Sequence, residues 1–167
     1  MVRDLTVDRT TDGAEEGKNR ELYLERVVVE ANDAEFRSYA ALPEIKTDEL
    51  SRWFCADGPA YNEIRSILER HRKKKWVISN PFNPSNKRIL HIEVKKLGPN
   101  EAEVATKEYW YLRWWDELDG SHAYSYRESN HQMYILRKEG IDWKIYEELR
   151  GLPRTSTPNR WNRRQRL

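Results

Sequence analysis

The chain has 167 residues, of which 38% are hydrophobic, 11% aromatic and 35% charged, with a net charge of +2. That length suits one domain with a sizeable core, and the aromatic content excludes a wholly disordered chain. No apolar run approaches the roughly 20 residues of a membrane span and the N-terminus lacks the apolar core of a signal peptide, so a cytoplasmic location is the default expectation. The single cysteine, Cys55, excludes an intrachain disulfide and a cysteine-based zinc site.

Residues 1–18 are polar and carry no periodic apolar pattern, which predicts a disordered arm or a linker. From Asn19 to Leu42, Tyr23, Val27, Ala31 and Ala34 share one helical face with Leu24 and Val28 beside them, and Pro43 ends the segment. Thr47 stands as N-cap to a short helix carrying Leu50, Trp53 and Phe54, with Asp48 and Glu49 in its first turn. Asp57-Gly58 breaks it, and Pro59 opens a third helix on which Tyr61, Ile64, Ile67, Leu68 and His71 form a stripe. Arg72-Lys73-Lys74-Lys75 places cations where a helix C-terminus favours them. Trp76-Val77-Ile78 reads as a short strand, and Asn80–Asn86, with two prolines, as a loop.

Four strands in succession are then predicted. Over Arg88–Lys96, Leu90, Ile92 and Val94 alternate with polar residues. Glu101–Trp115 is rich in β-formers; Tyr124–Lys138 and Asp142–Glu148 follow the turn signals Asp119-Gly120 and Glu139-Gly140. Helices first and a meander afterwards give an α+β arrangement, with helices packed on one side of a curved, mainly antiparallel sheet. From Gly151 onward the chain is polar, with five arginines (Arg154, Arg160, Arg163, Arg164, Arg166) and no acid. The expected division is an arm over 1–18, one domain over 19–150 and a basic disordered tail over 151–167.

A two-residue Asp119-Gly120 loop sets Leu118 opposite Ser121 and so fixes the pairing of the long hairpin. It places Glu108 opposite His131 and Trp110 opposite Ser129. Tyr109, Tyr111, Arg113 and Trp115 then share the other face with Tyr124, Tyr126 and Glu128. Both faces come out apolar or aromatic, so one is expected under the helices and the other against a partner or a second subunit.

The order of elements, with Tyr134-Ile135-Leu136-Arg137 leading through Gly140 into Trp143-Lys144-Ile145, resembles the nuclear transport factor 2-like superfamily. Glu108-Tyr109-Trp110 in the long strand is similar to the domain at the C-terminus of chloroplast and cyanobacterial division proteins. The resemblance covers Asn19 to Leu149. It implies a cone-shaped domain with a cavity between helices and sheet, and members that are either small-molecule enzymes or binding and scaffolding modules. Fold alone does not choose between these.

The candidate catalytic pair is Glu108 with His131, since a carboxylate beside an imidazole orients it as a general base. Trp53, Tyr61, Thr106 and Trp110 are the candidate pocket residues. Tyr109, Tyr111, Arg113, Trp115, Tyr124 and Tyr126 have the Trp, Tyr and Arg composition of an interface. The scattered histidines (His71, His91, His122, His131) show no metal-ligand spacing, and neither metal nor cofactor is expected. The favoured reading is a non-catalytic module for protein association or small-ligand binding, self-paired through the sheet or bound to a protein partner. Its alternatives are a cyclase, isomerase or dehydratase using the Glu/His pair, and a nucleic-acid-associated protein gripping phosphates through the basic tail.

Overall fold

The structure, a computed structural model, describes residues 9–78, 82 and 84–151, with side chains from Gly13 onward. The tail expectation therefore lies outside the described residues beyond Gly151. Helix α1 (Arg9–Ala40) begins ten residues upstream of Asn19. The stretch that reads as an arm has no apolar stripe because its side chains face solvent from Gly13 to Glu16. Ala14, Glu15, Glu16 and Lys18 are good helix formers there, set against Gly13 and Gly17. Further along, Leu24, Val27, Val28, Ala31 and Ala34 are buried, while Tyr23 at the edge of the stripe is 46% exposed.

Helix α2 (Asp48–Trp53) follows Thr47, whose side chain makes no capping hydrogen bond; Ser51 Oγ instead donates to the Thr47 carbonyl. Helix α3 (Pro59–Lys74) starts on its proline and ends at Lys75, which is left-handed at φ 57°. Its predicted stripe is buried throughout, and His71 packs among rings, 4.1 Å from Trp114 and 5.4 Å from Trp76 between centroids.

Strands β1 (Trp76–Val77), β2 (Asn86–Leu97), β3 (Glu101–Asp116), β4 (His122–Glu139) and β5 (Asp142–Arg150) form one antiparallel sheet. β2 and β1 pair with successive stretches of β3, and β5 pairs with the far edge of β4. The hairpin between β3 and β4 differs from its predicted form. Asp116 Oδ1 accepts from the amides of Leu118 and Asp119, Gly120 turns at φ 72°, and Asp116 N donates to the Ser121 carbonyl. The tip is thus longer than two residues, and a bulge lies between Trp114 and Trp115. Register slips by one: Glu108 pairs with Asn130 and Lys107 with His131. A one-residue slip exchanges the faces of one strand relative to the other.

Two more bulges reassign side chains. In β2 the shift between Ile89 and His91 turns Leu90 outward, at 53% exposed, and Ile89 takes the inward role the alternation predicted for it. In β5 the irregularity opposite Ile135/Leu136 changes which residues point inward, from Trp143 and Ile145 to Glu148 and Arg150. The core lies between the helices and the even-numbered side chains of β3 and β4, from Ala102, Val104 and Trp110 to Tyr134 and Leu136.

The α2–α3 connection lies against β5, where Cys55 N donates to the Ile145 carbonyl at 2.8 Å. A Cβ on Gly58 would stand 2.5 Å from the Tyr146 carbonyl oxygen and 3.2 Å from that of Cys55. Backbone cannot yield as a side chain can. Gly58→Ala is expected to cost about 1–3 kcal/mol, read as a lower urea midpoint at unchanged slope. A midpoint equal to that of the parent would show that this contact is loose.

Candidate functional site

Glu108 is the centre of the inner face. It sits on β3 at 0% exposure, and four donors surround its carboxylate. Oε1 accepts from Asn32 Nδ2 on α1 at 2.7 Å and from Trp110 Nε1 at 2.8 Å. Oε2 accepts from Tyr134 Oη on β4 at 2.6 Å and from Thr106 Oγ1. The carboxylate therefore ties a helix to two strands. Tyr134 lies deep in the same place. Burial, with the negative charge of Glu108, Glu148 and Glu35, pushes its phenol well above the ordinary range, so it keeps its proton and acts as a donor.

A second set of carboxylates surrounds Arg150, the last residue of β5. Its Nη2 lies 2.8 Å from Glu148 and 3.4 Å from Glu35, and Nη1 lies 3.5 Å from Glu128. All four are nine-tenths buried or more. Tyr39 Oη donates to Glu35 at 3.0 Å, and Tyr126 Oη and Asn130 Nδ2 (2.7 Å) both donate to Glu128. None of Glu35, Glu128, Glu148 or Arg150 stands out as a site residue in the sequence. The available signal is a charged residue inside an otherwise apolar alternation, as at Glu108 between Val104, Thr106, Trp110 and Leu112.

The structure separates the predicted catalytic pair. Glu108 points into the core, whereas His131 is exposed on the opposite face of the sheet. The cause is the hairpin register. The oxygens of Glu108 are engaged by four donors, and His131 does not lie beside them. Of the candidate pocket residues, Thr106 and Trp110 do meet, at Glu108. Tyr61 is buried on α3, and Trp53 lines a surface recess beside Trp143.

The predicted interface set divides as well. Tyr109, Tyr111 and Arg113 lie on the outer face, with Tyr111 between Arg113 and Arg127 at 4.4 and 4.6 Å from its centroid. Tyr126 pairs with Leu112 and is buried inside; Tyr124 pairs with Trp114 and stacks on Trp76 at 6.1 Å. Trp115, past the bulge, meets His122 edge-on at 5.3 Å.

Cys55, Asp57 and Glu139 bring their ligand atoms within 4.8 Å of one another, and Lys144 Nζ lies 3.4 Å from Glu139. Burial, followed by the bond to Glu139, pushes the Cys55 thiol up to about 12, so it is not a thiolate at neutral pH.

The outer face of the sheet is divided by charge. Around Lys107, Tyr109, Tyr111 and Arg113 of β3 stand Arg88 and His91 of β2 and Arg127, Ser129 and His131 of β4, with no acid among them. Arg88 lies 5.7 Å from the Tyr109 centroid. Towards the other end, Ala105, Met133, Ile135 and Leu149 form a half-buried apolar seam. Glu93, Glu101, Glu103 and Glu147 flank it, along with Lys95, Lys96 and Arg137; Glu93 is paired with Lys95 at 2.8 Å and lies 3.6 Å from His91. The helices pack on the inner face, so no described element covers this one.

Helices laid across one face of a curved antiparallel sheet make this an α+β cone. Among solved structures, the chain is similar to the intermembrane space region of the chloroplast protein ARC6. The TM-score is 0.54 at 13% identity, covering 77% of this chain and 93% of that one. It also matches the association domain of C. elegans CaMKII (TM-score 0.47, 14% identity, 80% and 98% covered). A putative CaMKII association domain from Xanthomonas campestris matches as well (0.46, 15%, 78% and 89%). At such identities the likeness concerns the fold. No protein-family model and no curated protein matches the chain. Among the described residues, no helix is long and apolar enough to cross a membrane.

Proposed function

We propose that this chain is a non-catalytic association module that binds protein through the outer face of its sheet, and that the partner is a second copy. The supporting observation is the division of that face. One half holds four cations and two tyrosines without an acid; the other holds the apolar seam with its four glutamates. The cationic halves of two copies repel. A copy turned end for end sets the cationic half of each over the acidic, apolar half of the other, which a two-fold interface allows. Tyr109, Tyr111 and Arg113 supply the rigid aromatic and guanidinium contacts that dominate such interfaces. The buried side favours the same reading over an enzyme, because Glu108, Thr106, Trp110 and Tyr134 are bonded to one another and to Asn32, and His131 lies across the sheet.

Reversing charge in the cationic half tests this. Lys107→Glu combined with Arg127→Glu changes two exposed side chains, and the expected product is a monomer by light scattering with an unchanged far-ultraviolet circular dichroism spectrum. A double variant that keeps the parent's mass would remove the outer face from the proposal.

A further inference from the structure

Along the N-terminal half of α1, two adjoining recesses share the rings of Tyr23 and Trp143. The larger, of about 390 Å³, lies between α1, the end of α2 and the start of β5, with Trp53 as its third ring. The smaller, of about 230 Å³, continues it past Arg20 to the end of β2. Positions 16, 19, 20, 23, 26 and 27 of α1 contribute to the lining at helical spacing. That face runs about 16 Å at 1.5 Å per residue.

Three guanidiniums border this groove: Arg26 and Arg52 at the larger recess and Arg20 at the smaller. None of the three takes part in an ion pair among the described residues. The acids in the lining are Asp142 and Glu16, one in each recess. Arg52 is held 5.2 Å from the Trp53 ring centroid, so a cation is already fixed against one of the walls. Trp143 is 8% exposed and forms a fixed floor, while Tyr23 at 46% leaves ring area open to solvent.

We propose that this groove is a binding site for a small planar aromatic anion, its ring laid against Tyr23, Trp53 and Trp143 and its carboxylate or phosphate held by Arg26 and Arg52. The larger recess alone falls in the size range of small-ligand sites, and aromatic walls with a few convergent polar groups are their usual composition. Rings recognise rings by offset stacking or edge contact. Guanidinium is the group suited to a planar oxyanion, because its parallel N–H donors match two oxygens at once. A neutral aromatic keeps the first contact and loses the second; an aromatic cation meets two arginines against the single carboxylate of Asp142. The site is separate from the outer sheet face and stands or falls without it.

The test uses the full chain and three naphthalene probes of matched size: the 2-carboxylate, its neutral carboxamide and the 2-methylammonium cation. Binding is read by quenching of tryptophan fluorescence and by the indole N–H resonances of Trp53 and Trp143. The carboxylate is expected to bind about tenfold more tightly than the amide, which corresponds to one charge-assisted contact, with no binding of the cation. Arg26→Ala and Arg52→Ala, both at exposed positions, are each expected to weaken the carboxylate by about five- to tenfold and to leave the amide unchanged. Trp53→Ala is expected to weaken both. Lys73→Ala, exposed on the last turn of α3 and outside both surfaces, serves as the control and is expected to change nothing. Equal affinity for the three probes, indifference of the carboxylate to both arginine substitutions, or no binding at millimolar concentration would each overturn the proposal.

Discussion

Glu108→Leu is expected to destabilise the fold by about 4 kcal/mol, while Glu108→Gln costs only about 1–2 kcal/mol. The contrast follows from what each oxygen accepts. Oε1 receives two N–H donors, Asn32 Nδ2 and Trp110 Nε1, which cannot reverse their role. Oε2 receives two hydroxyls, Tyr134 Oη and Thr106 Oγ1, and a hydroxyl can rotate to accept instead. A glutamine with its oxygen toward Asn32 and Trp110 and its amide toward Thr106 and Tyr134 keeps most of the network. Leucine accepts from none of the four donors and leaves Asn32 and Tyr134 with only their longer contacts, Asn32 Nδ2 to Tyr134 Oη at 3.3 Å and Tyr134 Oη to Gln132 Oε1 at 3.5 Å. Chemical denaturation of the three proteins reads the difference directly. Equal costs for leucine and glutamine would mean that the network contributes shape alone, and a stable leucine variant would show that Glu108 does not tie α1 to the sheet.

Arg150→Met is the second large effect, expected at about 3–5 kcal/mol. Glu35, Glu128 and Glu148 are each 6% exposed or less, and Arg150 is the guanidinium that lies within 3.5 Å of all three. Removing it leaves carboxylates facing one another in a medium that screens them poorly. Methionine retains much of the side-chain volume, so the loss reports charge more than packing. For a domain of this size that is a fall in melting temperature of roughly 6–20 °C. Adding Glu148→Gln to Arg150→Met is expected to recover part of the loss, because the closest carboxylate is then neutral. A single variant within about 0.5 kcal/mol of the parent, or a double variant no better than the single, would contradict this description of the cluster.

The helices and strands were legible because their periodicities are strong: the Tyr61–His71 stripe of α3 and the alternation of β3 came through with the right residues buried. What the sequence did not carry was the parity of the sheet. Asp119-Gly120 signals a tight hairpin, yet Asp116 caps the amides of Leu118 and Asp119 and opens the loop. That change transfers Tyr126 and Glu128 from the outer face to the core and His131 from the core side to solvent. The β5 bulge has the same consequence for Glu148, the predicted end of the strand, and for Arg150 beyond it. Bulges depend on contacts distant in sequence, and no local propensity announces them. Glu108 was visible as a charge set among apolar neighbours; its role depended on partners from α1 and β4 that only the folded register supplies. Tyr109, Tyr111 and Arg113 fell together on one face in either register because all three lie on β3.

The charge-divided outer face leads to one direct measurement: sedimentation velocity of the unmodified protein over a range of concentrations, at about 0.05 M and about 0.5 M salt, where screening lengths differ about threefold. Self-association through opposed cationic and acidic halves predicts a dimer at low salt whose dissociation shifts to higher protein concentration as salt rises. A protein that sediments as a monomer at every concentration and both ionic strengths would contradict it.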